Sequence, residues 1–454
     1  MKRIRISPLQ LIPISFLIVI IIGTALLLVP QATAIGESTD FVTALFTATT
    51  STCVTGLVVV DTFSHWSVLG QVIILFLAQI GGLGVVAVGS MIMLVARKKF
   101  TLGDRILLGD SLNIDKTRGL LLILVRIFKG VFFVEAVGAA LFTIEFIPRF
   151  GVAKGIWVSI FQSVSAFCNA GMDIIGADSL IGYNSSGFIM GLTMALIILG
   201  GLGFVVWFDI LDGIKNGIKE RYGVGTIFSH LSEHSKLVLW MTFILIFGGA
   251  ALIFLAEYDN PSTIGNMPLA DKILNSIFQS VTFRTAGFAS VSQKGLTETT
   301  CVLGIILMFI GGSPVGTAGG IKTVTAFLFF MNAFSYVRKE KENVIFNRSV
   351  SHELMRKASA IVFISMSAVF IMTLLLMSRT GIALTDASYE TISAIGTVGL
   401  SRNLTPTLDA GGRIIIIIAM YLGRIGPISM ALFFTKAGKS EKKILHSEGT
   451  FYVG

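Results

Sequence analysis

Residues Glu390–Leu400 read ETISAIGTVGL, an apolar segment that ends in the string Gly-Thr-Val-Gly-Leu. Short strings of small and β-branched residues occur in many strands and loops, so this one predicts little by itself. Repetition at regular spacing is a stronger indication of architecture than any single motif. Its meaning therefore depends on related segments elsewhere in the chain and on the environment in which they lie.

The composition indicates a membrane environment. Of the 454 residues, 54% are hydrophobic and only 13% are charged, whereas soluble domains carry about 25% charged residues. Such a chain cannot cover itself with a polar surface, so we predict a polytopic membrane protein. The net charge of +9 fits basic cytoplasmic loops and gives no reason to expect nucleic acid as a partner. The three cysteines show no disulfide or metal-ligand spacing.

The chain contains four copies of one unit, in the order spanning helix, half-length helix, loop and spanning helix. Each half-length helix has about ten residues, or about 15 Å, so it can enter the ~30 Å hydrocarbon core without crossing it. The second and third copies share the hexapeptide SIFQSV. The predicted boundaries are 1–107, 108–222, 223–345 with a broken second helix, and 346–454 including the C-terminal tail.

Basic residues predict the orientation. They cluster at the N-terminus and after the second spanning helix of each copy, whereas the loops around the half-length helices are often acidic. Because cytoplasmic loops are rich in Lys and Arg, we predict eight spanning helices with both termini cytoplasmic. The first apolar run, Leu9–Val29, is long enough to span and is interpreted as an uncleaved helix. Leu69–Val95 and Phe188–Leu211 are predicted as continuous spans.

The loop after each half-length helix ends in a glycine followed by a large apolar residue. Non-helical backbone at membrane depth is tolerated only inside protein or around water, so four such loops most simply surround one central pore. Glycine allows a positive φ that turns a carbonyl toward the axis, and the C-terminal ends of the half-length helices favour a cation there. Without a carboxylate ring, carbonyls suit a monovalent cation. The alternative is four glycine kinks in an ordinary transporter.

The four loops, at Thr55–Leu57, Asn169–Gly171, Arg284–Phe288 and Thr397–Leu400, resemble those of the Trk/Ktr/HKT potassium-uptake family, in particular its KtrB-type membrane subunit. The resemblance covers essentially the whole chain and implies an all-α, potassium-channel-like fold with a selectivity filter. It implies K⁺ as the transported ion at the filter carbonyls, with Na⁺ as a second candidate, and no covalently bound cofactor. In this family, glycine in all four filters accompanies potassium selectivity. The predicted ion-binding residues are Val54, Thr55, Gly56, Asn169, Ala170, Gly171, Thr285, Ala286, Gly287, Thr397, Val398 and Gly399.

The segment Gly311–Gly320 interrupts the second spanning helix of the third copy, because six of its ten residues are Gly or Pro. The family resemblance implies a gating loop just inside the filter. The alternative is a flexible break needed only for packing. Pro314 and Val315 depart from the small residues typical of the family. The predicted gate residues are Gly311, Gly312, Ser313, Pro314, Gly316, Thr317, Gly319, Gly320 and Arg424.

The sequence also predicts roles for four polar residues, three of which have two possible roles. Arg424 lies inside the last span, where a charge costs about 2.5–3.5 kcal/mol; the resemblance implies an electrostatic barrier below the filter, and the alternative is a pair with an acid such as Glu135. Arg284 is expected behind the filter, bonded to backbone carbonyls. Asn169 either shapes the second filter loop or caps its helix, and Lys322 belongs to the gate or to the cytoplasmic charge.

The sequence predicts a transporter and not an enzyme. The five histidines are scattered, and there is no HExxH, GxSxG or P-loop motif. The resemblance implies channel-like potassium uptake across a bacterial-type cell membrane, by a homodimer in lipid with a separate cytosolic nucleotide-binding ring of the KtrA type. Residues 448–454 resemble the family tail that packs at the dimer interface. The alternative is a sodium-coupled symporter of the same family, although such carriers usually have two inverted repeats.

Overall fold

The computed structural model describes residues 8–96, 103, 108–109, 120–221, 223–339 and 342–426, which are mostly helical. The predicted tail at 448–454 and the end of the last span lie outside the described residues. Two short strands, β1 (Val344–Ile345) and β2 (Arg348–Ser349), pair antiparallel. The helices are α1 (Pro8–Leu27), α2 (Phe41–Cys53), α3 (Thr62–His65), α4 (Val68–Leu83), α5 (Val85–Val95), α6 (Leu120–Phe150), α7 (Val152–Cys168), α8 (Gly187–Leu202), α9 (Phe204–Glu220), α10 (Val224–His230), α11 (Glu233–Glu257), α12 (Leu269–Phe283), α13 (Glu298–Phe309), α14 (Thr323–Val337), α15 (His352–Thr380), α16 (Leu384–Ile395) and α17 (Ala410–Ile425), with 3₁₀ turns at Pro30–Ala32, Ile181–Tyr183 and Thr405–Thr407.

Polar caps fix where several of these helices begin. Asp40 accepts hydrogen bonds from the backbone N–H groups of Val42 and Thr43 at the start of α2. Asp409 does the same for Gly412 at the start of α17. Such side chains satisfy N–H groups that have no partner within the helix, so they set the helix boundaries in an otherwise apolar sequence.

Two of the predicted spans are bent. By length and composition, Glu233–Glu257 and His352–Arg379 can each cross a membrane, and two bent helix pairs raise the number to four among the described residues. The prediction of continuous helices over Leu69–Val95 and Phe188–Leu211 is wrong, because α4 and α5 meet at 97° and α8 and α9 at 99°. Gly84 and Gly203, with φ of 90° and 91°, make these bends, and glycine adopts this backbone region without a Cβ clash. The total of eight spans stays a prediction.

The four half-length helices, α2, α7, α12 and α16, are packed in a cyclic order. Each lies against the two long helices that flank it in sequence and against the second long helix of the preceding copy. The preceding-copy neighbour is α17 for α2, α4 for α7, α8 for α12 and α13 for α16, so the order closes on itself. The aromatic side chains in the middle of the four helices are at most 1% exposed and anchor them in the core; they are Phe46, Phe161, Phe278 and Tyr389.

Candidate ion-binding site

The loops that follow the four half-length helices have the same backbone shape. We call them walls one to four (54–57, 169–172, 285–288 and 397–400). In each wall, the residue two positions before the glycine is left-handed although it carries a side chain, which the sequence analysis missed. These φ angles are 56° at Val54, 59° at Asn169, 69° at Thr285 and 50° at Thr397, and the glycine values are 96° at Gly56, 65° at Gly171, 86° at Gly287 and 97° at Gly399.

The four wall glycines, which we call the glycine ring, touch in a closed order. A Cβ built on any of them would meet the carbonyl oxygen that precedes the glycine of the next wall, closer than real Cβ atoms are found. The structure therefore brings all four walls together around one axis. The distance from the built Cβ to the carbonyl oxygen is 2.6 Å for Gly56 and Ala170, 2.6 Å for Gly171 and Ala286, and 2.5 Å for Gly287 and Val398, and the contact of Gly399 with Thr55 is at least as close.

Hydroxyl groups near the end of the half-length helices hold the walls from behind. Thr50 Oγ1 accepts a hydrogen bond from the Gly56 N–H at 3.0 Å, and Ser393 Oγ accepts one from the Gly399 N–H at 3.1 Å. In the other two walls the hydroxyls act as donors. Ser165 Oγ donates to the carbonyl of Met172, and Thr282 Oγ1 donates to that of Phe288 at 2.7 Å. Sequence analysis gave these hydroxyls no role.

A buried carboxylate supports wall four. Glu390 is fully buried and accepts hydrogen bonds from Ser401 Oγ at 2.8 Å and from Thr405 Oγ1. Both donors lie in the segment that follows the wall, so Glu390 ties that segment to the helix. This role of Glu390 was not predicted from the sequence, where the available signal was a carboxylate inside a mostly apolar half-length helix.

A second acid lies beside wall two. Asp173 comes two residues after Gly171 and accepts a hydrogen bond from Ser179 Oγ at 2.6 Å. Burial raises the pKa of its carboxyl from 3.8 to about 6. The charge of Asp173 therefore changes within a mildly acidic range.

The 311–320 loop lies against the second and third copies. The Ser313 and Thr317 N–H groups donate to the carbonyls of Gly201 and Gly200 at 2.9 and 3.0 Å. Thr317 Oγ1 donates to the carbonyl of Phe167 at 2.9 Å, and the Gly319 N–H donates to Thr285 Oγ1 at 3.2 Å. The helix ends at Phe309 and resumes at Thr323, and this non-helical segment contains the predicted residues Gly311, Gly312, Ser313, Pro314, Gly316, Thr317, Gly319 and Gly320.

Arg424 joins the 311–320 loop to the first copy. Its Nη1 donates to the Thr317 carbonyl at 2.8 Å, and its Nη2 donates to the carbonyl of Gly81. Glu135 instead accepts from Gln79 Nε2 at 3.1 Å, so the alternative pairing of Arg424 with this acid is wrong. Lys322 Nζ donates to the Ala318 carbonyl at 2.7 Å, which assigns Lys322 to the loop.

Asn169 and Arg284 differ in whether their side chains have hydrogen-bond partners. Asn169 is the C-cap of α7 and has a left-handed backbone conformation. When its side-chain amide is rotated by 180°, so that oxygen and nitrogen exchange places, the nitrogen donates to the carbonyls of Ala166 and Ile197 at 3.2 and 3.3 Å. Arg284 caps α12, but the expected bonds to backbone carbonyls are absent among the described residues. Its buried Nε has no partner there.

The donor set restricts the cation that the site can hold. Among the described residues there is no group of three or more His, Cys, Asp or Glu placed to bind a metal ion. What each wall places against the glycine of its neighbour is a backbone carbonyl oxygen. Such oxygens can replace the hydration shell of a monovalent cation. The left-handed residues and glycines of each wall fix the direction of those carbonyls.

Comparison with known proteins gives one consistent family. The family model described as "TrkH: Cation transport protein" matches residues 8–444. The potassium/sodium uptake protein NtpJ of Enterococcus hirae and the Ktr system potassium uptake protein B of Bacillus subtilis are each 36% identical, over 100% of this chain and 98% of the relative. The crystal structure of the potassium transporter TrkH from Vibrio parahaemolyticus superposes with a TM-score of 0.71 at 16% identity, over 96% of this chain and 86% of that one, and shows a shared fold.

These matches extend over nearly the whole chain, including all four walls and the 311–320 loop. The relatives are ion-uptake proteins and not enzymes, as the sequence analysis predicted. The chain belongs to the TrkH family of cation transport proteins.

Proposed function

We propose that this chain is the membrane subunit of a potassium-uptake system and that K⁺ passes through the glycine ring between four walls of carbonyl oxygen. The observation that carries the proposal is the closed contact order of the four glycines, each against the carbonyl before the next. The relatives named for potassium uptake support K⁺ as the ion. The relative named for potassium and sodium supports Na⁺ as a second ion.

The 311–320 loop is the gate in this proposal. It bonds to the glycine-rich bend of the second copy and to Thr285 of wall three, so it lies directly beside the ring. Arg424 holds the Thr317 carbonyl and adds a positive charge on the same side. A cation leaving the filter toward this side meets both a backbone obstruction and electrostatic repulsion.

The wider assembly is part of the same proposal. Relatives named as proteins of a Ktr system support association with a separate subunit. We assign that subunit the role of a cytosolic nucleotide-binding ring of the KtrA type, which would open the gate in a homodimer of this chain in the cell membrane.

Ion uptake by the purified chain in lipid vesicles tests the proposal. We expect uptake of K⁺ and Rb⁺, with and without Na⁺, at a rate that rises when a nucleotide-bound regulatory ring is added. Uptake that is strictly coupled to Na⁺ and saturates at a low rate would support the symporter instead. The absence of any K⁺ or Rb⁺ uptake by folded protein would overturn the assignment.

Gly56→Ser tests the filter. A side chain on Gly56 would press on the Ala170 carbonyl at 2.6 Å, so wall one must shift and alter the carbonyl spacing. We expect selection to move from K⁺ toward Na⁺, measured as growth of a strain deficient in potassium uptake at low K⁺. Gly191→Ala is the matched control, because nothing lies within 4 Å of its Cβ position. Unchanged growth of the Gly56→Ser strain at low K⁺ counts against the filter.

Deletion of residues 315–317 tests the gate. It removes the Thr317 carbonyl that Arg424 holds and the hydroxyl that bonds to Phe167, so the obstruction beside the ring is lost. We expect a higher basal flux without the regulatory ring. A lower flux from a variant with the normal unfolding temperature would contradict the gate assignment.

A further inference from the structure

A small buried cavity of about 10 Å³ lies behind the glycine ring, between walls two and three. By its volume, it has room for a single small occupant. Arg284 from the end of α12, Thr242 from α11 and Gly312 from the 311–320 loop line it, together with Asn169 and part of α8. The cavity therefore adjoins two walls and the proposed gate at once.

Arg284 gives the cavity a positive charge that lacks a counterpart. The residue is 8% exposed, and no ion pair or side-chain hydrogen bond joins it to another described residue. A buried guanidinium without partners is costly, and buried charges in proteins are normally paired. The C-terminal end of α12 offsets part of that charge, since Arg284 is its cap. The Nε donor nevertheless remains buried and unpartnered.

Thr242 supplies a second unused donor in the cavity lining. Its side chain is 8% exposed and its Oγ1 has no hydrogen-bond partner. With the side-chain amide of Asn169 rotated by 180°, its nitrogen is already used by the carbonyls of Ala166 and Ile197. The cavity thus offers a guanidinium and a hydroxyl, and among the described residues no carboxylate lines it.

We propose that this cavity binds one small monovalent anion of the size of chloride, held by the Arg284 guanidinium and the Thr242 hydroxyl. A water molecule would satisfy the donors but leave the charge of Arg284 uncompensated beside a cation path. An anion satisfies both, and it links wall three to Gly312 of the 311–320 loop. This site goes beyond the proposed potassium uptake, and its occupancy is measured without transport.

Anomalous diffraction from crystals of the full chain grown with bromide in place of chloride tests the site. We expect a bromide peak within contact distance of Arg284 and Thr242 in the wild type. The peak should be lost in Arg284→Gln and weakened in Thr242→Val, which keeps the shape of the side chain. Thr193→Val is the matched control, since Thr193 is another buried, unpartnered hydroxyl but does not line the cavity. It should keep the peak.

Thermal unfolding provides a second measurement in case a variant fails to crystallise. When gluconate, which is too large for the cavity, replaces chloride at constant ionic strength, we expect a lower unfolding temperature in the wild type and no change in Arg284→Gln. A wild-type map without a bromide peak in the cavity overturns the proposal, as does an unfolding temperature that is the same in both anions. Either result could occur with potassium uptake intact, so it would not bear on the proposed function.

Discussion

Walls one and four differ from walls two and three in the direction of the hydrogen bond that holds them. In walls one and four, a helix hydroxyl accepts from the ring glycine, as Thr50 does from Gly56. In walls two and three, the hydroxyl donates to the next carbonyl, as Thr282 does to Phe288. All four walls still share one backbone shape. The contrast indicates that the left-handed residue and the glycine define the ring, whereas the hydroxyl only has to satisfy whichever backbone group faces it.

The largest effect is expected where the two pairs of walls are alike, in the glycine ring. Gly399→Ala places a Cβ 2.2 Å from the Thr55 carbonyl, and Gly171→Ala places one 2.6 Å from that of Ala286. Both also force alanine into a positive φ, which costs about 1–2 kcal/mol. We expect near-complete loss of K⁺ uptake in both, with Gly191→Ala unaffected as the control. Normal K⁺ uptake with alanine in only one pair of walls would show that the four glycines do not have the same role.

An intermediate effect should separate the two pairs of walls. Thr50→Val and Thr282→Val remove one hydroxyl each and preserve side-chain shape. Thr50→Val leaves the buried N–H of Gly56 without a hydrogen-bond partner, and Thr282→Val leaves the carbonyl of Phe288 without one. In folded proteins, buried N–H groups are left unpaired less often than carbonyls. An unsatisfied buried group costs about 1–3 kcal/mol, so we expect Thr50→Val to reduce uptake and the unfolding temperature more than Thr282→Val. Equal losses would show that bond direction is irrelevant.

The sequence predicts the walls because their signal is local and repeated. Each wall glycine follows a half-length apolar helix, and lipid tolerates such backbone only inside protein or around water. Val54, Asn169, Thr285 and Thr397 carry no common chemical signature, so their shared left-handed conformation was not visible in the sequence. It is imposed by the ring, which over-determines the backbone at these positions.

Long-range contacts account for most of what the sequence could not give. In the sequence, Gly84 and Gly203, which form the two bends, cannot be distinguished from ordinary helix glycines until φ is known. Arg424 was expected either in the pore or beside an acid such as Glu135, and the pairing with Glu135 is wrong. Its guanidinium bonds to carbonyls of two distant segments, at Gly81 and Thr317. Arg284 was expected to have backbone partners and has none among the described residues. The partners of Arg424 lie far away in sequence, where periodicity carries no information.

The smallest effect is expected from Asp173, which adjoins wall two and has no counterpart after the other three glycines. Because burial raises the pKa of its carboxyl from 3.8 to about 6, the group is neutral below about pH 6 and negative above it. The negative form attracts cations to wall two, so wild-type uptake at low K⁺ should fall by about twofold as the pH drops through 6. Asp173→Asn should remove this dependence, whereas Asp178→Asn, at an exposed position in the same loop, should keep it.

The pH dependence of stability is an independent measurement of the same Asp173 carboxyl, and its expected trend is opposite to that of uptake. A raised pKa in the folded state means that the fold favours the protonated form, so this contribution to stability is fully present below about 3.8 and is lost as the pH rises through about 6. The unfolding temperature of the wild type, relative to Asp173→Asn, should therefore decrease over the range in which uptake increases. Uptake and stability that change in the same direction, or an Asp173→Asn variant with an unaltered pH profile, would remove Asp173 from the site and leave wall two without a titrating group of its own.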